Sequence, residues 1–317
     1  MSQIFQEHLS YFQLPRRLDL YSKAIEQCIK PGDTVADLGC GFGVLGVLCL
    51  KHGASRVYGI DDSDALHVAR EMAQRAGLEE RYICIAGSSY KTDLPEKVDL
   101  IICDHVGHFG ADYGMIAMLN DAQKRFLKPG GIVIPRELRL EVAAVSSTAH
   151  ASRVELWSGV DSLPEFHWLR EKSANTKHVV DFTKDEIVSD AGSLGSITLG
   201  DEAAEFFQFS STLTADQDAE MHGLGGWYSC LLGGDVRMTN SPLEEASIGR
   251  SQAFLPLEQP IAVSAGDRLA VSVKMRPDDA MLAWSVENVT TGTPVQKMST
   301  WKGAILDPDA LGQGQKK

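Results

Sequence analysis

"VADLGCGFGVL", residues 35–45, is an apolar run that breaks into three glycines spaced two apart and then turns apolar again. Glycines at 39, 41 and 43 between a strand and a helix bring backbone close to a ligand. A dinucleotide fold uses the spacing GxGxxG in that place. Here the third glycine comes one residue early. Asp37, two residues before Gly39, is the more telling group. A carboxylate sits badly beside a pyrophosphate, but it suits a ligand with a cationic end and no phosphates. S-adenosylmethionine (SAM), with its ammonium and its sulfonium, is such a ligand. Asp61, 24 residues after Asp37, ends the next apolar stretch and is placed to accept both ribose hydroxyls. The competing readings are NAD or another nucleotide, and a tight turn with only a structural role.

Outward from this loop, apolar strands alternate with helical stretches. "RVYGIDD" reads as a strand. "SDALHVAREMAQRAGL" reads as a helix with a Ser63 or Asp64 cap and a stop at Gly77. "YICIAGS" and "VDLIICD" are further strands, and "YGMIAMLNDAQKRFL" is a helix before "GGIVIPRELRLEVAAV". The order predicts an α/β fold, a Rossmann-like domain with a parallel-sheet core, over residues 1–135. Residues 1–30 read as helical, with Leu18, Tyr21, Ala24, Ile25 and Cys28 at three-to-four spacing, and Pro31-Gly32-Asp33 stops them. After Pro135 the chain changes to short alternating strands. These predict an antiparallel, β-barrel-like domain over 136–317, with an insertion at about 157–186. The tail after about residue 302 is Gly-, Gln- and Lys-rich and reads as frayed.

The bulk numbers set bounds. A chain of 317 residues is long enough for one large domain or two medium ones. No apolar run approaches the 18 or so residues of a membrane span, and the first residues do not read as a leader. None of the six cysteines forms a CxxC pair, which predicts reduced thiols in a cytoplasmic protein. A net charge of −13 makes general nucleic-acid binding a poor expectation.

The assembled motifs resemble a class I SAM-dependent methyltransferase, and more narrowly the protein arginine methyltransferases, over about residues 11–290. "YFQLPRRLDLY" is similar to the family's N-terminal helix, which closes over the cofactor as a lid. By that resemblance Arg17 would contact the SAM carboxylate and Tyr21 would pack nearby. "VADLGCGFGVL" and "VYGID" are similar to its first two motifs, with Asp61 as the ribose acid. "AGSSYKTDLP" keeps the spacing of the adenine segment, so Ser89 would offer its N–H to the ring, while Tyr90 stands where the family has an acid. The implied cofactor set is Arg17, Tyr21, Asp37, Gly39, Cys40, Gly41, Gly43, Asp61, Asp62, Ser88, Ser89 and Asp104. "VDLIICDHVGHF" resembles the strand and loop that open the substrate site, "RFLKPGGIVIP" the strand leading on from the first domain, and "GDRLAVSVKMRPDDAMLAWSVE" the closing hairpin of the barrel. The insertion falls where the family carries its dimerisation arm, which implies a homodimer.

Two departures bear on the acceptor. The family's loop holds two glutamates nine apart that clamp a guanidinium; here the first is Asp104 and the second falls on Tyr113. Bidentate pairing of a planar guanidinium wants a carboxylate on each side. The family's Thr-His-Trp loop falls on Ile248, Gly249 and Arg250, and an arginine there repels a cation. The reading that follows is methyl transfer from SAM to a nitrogen or oxygen of a small-molecule metabolite. The first alternative is a protein or free-arginine N-methyltransferase with a rebuilt clamp, and the second is a non-catalytic SAM-binding dimeric scaffold.

Among individual residues, Asp104 reads either as a substrate contact or as a loop cap. His105 and His108 read as general bases or as ordinary loop histidines. Tyr113, with Asp112, lines the pocket or else begins the next helix as a core residue. Asp104 and His108 lack a third ligand, so no metal is expected. Cys40 and Cys103 read as small buried hydrophobes. Trp157, Phe166 and Trp168 form a dimer contact or pack on their own domain.

Overall fold

A computed structural model describes residues 2–111, 113–159, 162–200, 204–277 and 281–304. Asp112 and the tail beyond 304, named above, lie outside the described residues. The chain forms two compact units. One comprises Met1–Leu140, Gly195–Glu205 and Trp227–Arg250, and the other comprises Glu141–Leu194, Phe206–Gly226 and Ser251–Lys317.

The first unit is built on five parallel strands: β1 (Thr34–Leu38), β2 (Arg56–Asp61), β3 (Tyr82–Ala86), β4 (Val98–Cys103) and β5 (Leu127–Ile134), in the order β3-β2-β1-β4-β5. All five residues of β1 are buried. A central strand covered on both faces has no polar side, so its sequence is a continuous apolar run rather than an alternation. The chain steps outward from β1 in one direction through β2 and β3, and in the other through β4 and β5. The order therefore reverses between β1 and β4, and ligands of open α/β sheets bind at the carboxyl end of that switch. Register fixes what stands there. Leu38 pairs with Ile60 on one side and Cys103 on the other, so Gly39, Asp61 and Asp104 emerge side by side.

Helices α1 (Ser2–Gln13) and α2 (Arg17–Cys28) replace the single helix predicted over 1–30. Pro15 lacks an N–H and disfavours helical backbone at the residue before it, and Arg16 turns left-handed at φ 59°. Periodicity continued through the break because a three-residue corner hardly disturbs it. Helix α3 (Val44–Lys51) follows the glycine loop. Helix α4 (Ala65–Arg75) ends in a Schellman motif, with Leu78 N–H on Ala73 O and Gly77 N–H on Gln74 O, Gly77 at φ +63°. Helix α5 (Met115–Phe126) buries Ile116, Leu119 and Ala122 at its three-to-four spacing.

The antiparallel strands expected after Pro135 are present. Beyond β6 (Glu137–Val145) come helices α6 (Thr148–Glu155) and α7 (Leu169–Ala174), then strands β7 (His178–Val180), β8 (Gly192–Thr198), β9 (Phe207–Thr214) and β10 (Ala219–Gly233). Strands β11 (Val236–Thr239), β12 (Gln252–Val263), β13 (Arg268–Arg276), β14 (Met281–Asn288) and β15 (Gln296–Ser299) follow, with the short helix α8 (Thr300–Gly303). In the second unit β15-β14-β13-β9 form a four-stranded antiparallel sheet. Every second residue of β14 is buried, the period of a sheet with one covered face. Trp284, on that buried face, donates its indole N–H to Pro256 O at 2.7 Å. No helix among the described residues is long and apolar enough to cross a membrane.

Candidate active site

The glycine loop is held by backbone. Gly39 and Cys40 both donate to Ile60 O, at 2.8 and 3.1 Å, which bends the loop toward β2. Gly39, Gly41 and Gly43 have φ of +62°, +53° and +82°, so three alternate residues need the freedom that only glycine has. Asp61 secures the loop from β2. One carboxylate oxygen accepts the Gly41 N–H at 2.8 Å, and the other accepts the Ser63 N–H and hydroxyl at 2.8 and 2.6 Å.

Asp37 has a partner that its sequence position did not reveal. Its Oδ2 accepts the N–H of Gly46, in the first turn of α3, at 2.9 Å, and the Tyr82 hydroxyl at 3.3 Å. It caps the helix from the neighbouring strand, where the positive end of the dipole favours an acid. Gly46 permits this approach, since a Cβ there would lie 2.5 Å from the Tyr82 ring. Burial nevertheless pushes the Asp37 carboxyl up to about 7, against the pull of those two hydrogen bonds.

Asp104 leaves β4 into a cluster supplied by α2. It forms an ion pair with Arg17 and accepts the Tyr21 hydroxyl at 2.8 Å, while that hydroxyl also reaches Cys103 O at 3.1 Å. Arg17 and Tyr21 are one helical turn apart, so they share a face. The Arg17 guanidinium lies 5.4 Å from the Tyr11 ring centre and 5.5 Å from that of Tyr21, within cation–π range. Burial lowers its pKa, and nearby Arg250 adds to the effect. Arg250 is itself buried, with its guanidinium 5.4 Å from the Tyr11 ring.

A cavity of about 450 Å³ opens over this strand edge. Its lining brings together Arg17, Asp37, Gly39, Cys40, Gly41, Asp61, Asp62, Ser88, Ser89, Asp104, His105 and Tyr113. Three other candidate site residues do not line it. Tyr21 is fully buried behind Asp104, and Gly43 faces the Tyr82 ring. His108 lies in the turn closed by Gly107 and Gly110, its carbonyl accepting from Asn240 at 2.9 Å and its ring edge-on to Tyr113 at 5.9 Å. Tyr113 is 47% exposed and precedes α5, so it is no core residue of that helix. Cys40 and Cys103 are buried thiols, and burial pushes Cys103 up to about 12, far from a nucleophile's range.

Several lining residues gave no signal in the sequence. Helix α1 contributes Ile4, His8 and Phe12, and His8 stacks on Phe42 of the glycine loop at 3.9 Å. Arg125 of α5, gripped by Asp121, donates to the carbonyls of Ser89 and Thr92 and so fixes the 88–92 loop. An arginine and an aspartate at i, i+4 on one helix carry no sign of that role in the sequence.

The cavity suits a cofactor with a carboxylate and hydroxyls. Among the described residues, Arg17 Nε and His105 Nδ1 are buried nitrogens of the lining that lack a hydrogen-bond partner, and such groups call for a polar ligand. The model of the ribosomal protein L11 methyltransferase family (PrmA) matches residues 19–136. The Arabidopsis thaliana protein named probable protein arginine N-methyltransferase 6 is 24% identical over 316 residues, covering 94% of this chain and 68% of that one. Protein arginine N-methyltransferase 6 of Xenopus laevis is 24% identical over 277 residues, covering 83% and 81%. The chain is a class I SAM-dependent methyltransferase resembling the protein arginine methyltransferases. The methyltransferase also shares its fold with a chain of the Trypanosoma brucei PRMT1 enzyme-prozyme heterotetrameric complex with AdoHcy. The TM-score is 0.81 at 22% identity, covering 92% of this chain and 97% of that one.

Proposed function

We propose that this methyltransferase transfers the methyl group of SAM to a guanidinium nitrogen of arginine in a protein. The observation that carries the reading is the position of Asp104, a carboxylate at the carboxyl end of β4 on the rim of the cavity that holds Asp61 and the glycine loop. The relatives named as protein arginine N-methyltransferases support it over the small-metabolite reading drawn from the sequence. The net charge of −13 favours a basic protein substrate.

In this reading Arg17, Asp37, Gly39, Cys40, Gly41, Asp61, Asp62, Ser88 and Ser89 line the cofactor's place, and Tyr21 and Gly43 support it from behind the lining. Asp104 and Tyr113 serve the acceptor, with His108 set edge-on to Tyr113 outside the lining. Methyl transfer is a direct displacement: a nitrogen lone pair forms the C–N bond as the C–S bond breaks, and the nitrogen then sheds a proton. The protein's contribution is alignment and exclusion of water. Asp104 orients the guanidinium, and Tyr113 offers a hydroxyl where a second acid would complete the clamp.

A specific observation keeps a second reading alive. Asp104 already carries a full counter-charge from Arg17, which leaves it less to offer a cationic acceptor and suits a small neutral one. The protein is to be incubated with methyl-labelled SAM and either an arginine-rich protein or a metabolite extract. Labelling of the protein substrate is expected. Label in the extract alone would transfer the assignment to a small molecule. S-adenosylhomocysteine binding with no label in either would return the scaffold reading.

The remaining proposals concern organisation. We assign the SAM-binding domain to 1–135 and the β-barrel-like domain to 136–317, with the arm at about 157–186, although Gly195–Glu205 and Trp227–Arg250 of the latter stretch belong to the first compact unit. Leu163, Phe166 and Trp168 on that stretch are 63%, 48% and 53% exposed, an apolar set that suits pairing with a second copy. A cytoplasmic location accords with six unpaired cysteines.

A further inference from the structure

His105 sits where the glycine loop would meet its ligand. Its imidazole lies so close over Gly39 that a Cβ there would fall 2.0 Å from Cε1 and 2.8 Å from Nε2. Gly39, at φ +62°, thus makes room for this ring as well as for its own turn. The ring belongs to the cavity lining, yet no hydrogen bond engages either ring nitrogen among the described residues, and Nδ1 is buried. A buried imidazole nitrogen without a partner is costly, so native sites usually complete it with a ligand or water. The charges around it are those of Asp61 and Asp62 at the end of β2, while burial lowers its pKa and keeps the ring neutral. A neutral imidazole has one N–H donor and one lone pair, the equipment for a hydroxyl or amine.

We propose that His105 is a cofactor-binding residue whose ring hydrogen-bonds a polar group of bound SAM from above Gly39. The proposal rests on SAM as the cofactor and adds a contact made by the residue next to the acceptor acid. One loop then touches both substrates: Asp104 faces the acceptor and His105 faces the methyl donor.

Calorimetric titration with S-adenosylhomocysteine tests this on the full chain and three variants. His105→Phe keeps a planar ring over Gly39 and removes both nitrogens. His105→Asn restores a polar atom near Nδ1, and His105→Gln restores one near Nε2. The Phe variant is expected to bind about tenfold more weakly, the scale of one lost hydrogen bond with a partner left unpaired. Either Asn or Gln is expected to recover affinity to within about threefold of the parent. Unaltered affinity in the Phe variant overturns the proposal. Equal weakening in all three overturns it too, because a polar atom restored at either ring position would then recover nothing and the loss would be one of packing. Thermal unfolding of the unliganded variants separates misfolding from lost contact, and the two amide variants carry the test if Phe misfolds. A parent chain that binds no S-adenosylhomocysteine would break the cofactor reading instead.

Discussion

The glycine loop and the loop that follows β4 leave the same edge of one sheet, but they are held in different ways. Residues 39–43 are fixed by backbone bonds to Ile60 and by a single acid from the adjoining strand, Asp61. Asp104 is fixed by side chains from a distant helix: Tyr21, its partner, lies 83 residues away. The first arrangement is local and needs particular residues at particular spacings. The second depends on packing α2 against the end of β4. The glycine loop is therefore specified locally, whereas the surroundings of Asp104 depend on helix packing and have latitude to change without disturbing the sheet.

The sharpest way to break this comparison is Asp61→Ala. It removes the acceptor for the Gly41 N–H and the expected ribose contact, each a charge-assisted bond of about 1.5–3 kcal/mol. S-adenosylhomocysteine affinity should drop about 100-fold or more. An unchanged Kd by calorimetry would detach Asp61 from the cofactor.

Asp37→Asn tests the buried cap. The folded carboxyl titrates at about 7, above its ordinary 3.8. Between those values the folded state holds a proton that the unfolded state releases, so this group's contribution is present below pH 3.8 and lost as pH rises through 7. At about 1.4 kcal/mol per unit, discounted for relaxation, the parent should lose roughly 2 kcal/mol relative to the Asn variant between pH 5 and 7. Denaturant unfolding at the two pH values measures this. Parallel behaviour of the two proteins would mean that the carboxyl is ionised throughout.

Asp104→Asn probes the acceptor half. Arginine-protein methylation should lose about 20-fold in kcat/KM, the weight of one charged contact, while cofactor affinity stays within about threefold. A matched loss in both would place Asp104 on the cofactor side and erase the contrast between the loops. The smallest effect runs in the opposite direction. Tyr113→Glu supplies the second carboxylate, and kcat/KM for an arginine substrate should rise about tenfold. A fall would show that the phenol has its own task with another acceptor.

Much of the fold was legible because its signals are contiguous. Asp37, the three glycines and Asp61 fall within one strand-loop-helix-strand passage, and the alternation of elements implied a parallel sheet. The break at Pro15 was missed because apolar spacing ran on across it. His8 and Phe12 were missed because an amphipathic stripe on α1 looks the same whether it covers a core or a cavity. Arg125 was missed because its partners are loop carbonyls, which leave no trace in the sequence.

The sequence by itself determined the parallel α/β core and the glycine loop between β1 and α3, since each depends on residue type at short spacing. Only the tertiary structure decided that Asp37 caps α3, that Arg17 and Tyr21 hold Asp104, and that His105 rests on Gly39. Those choices are made by strand register and helix packing, which bring together side chains whose separation along the chain carries no periodic signal.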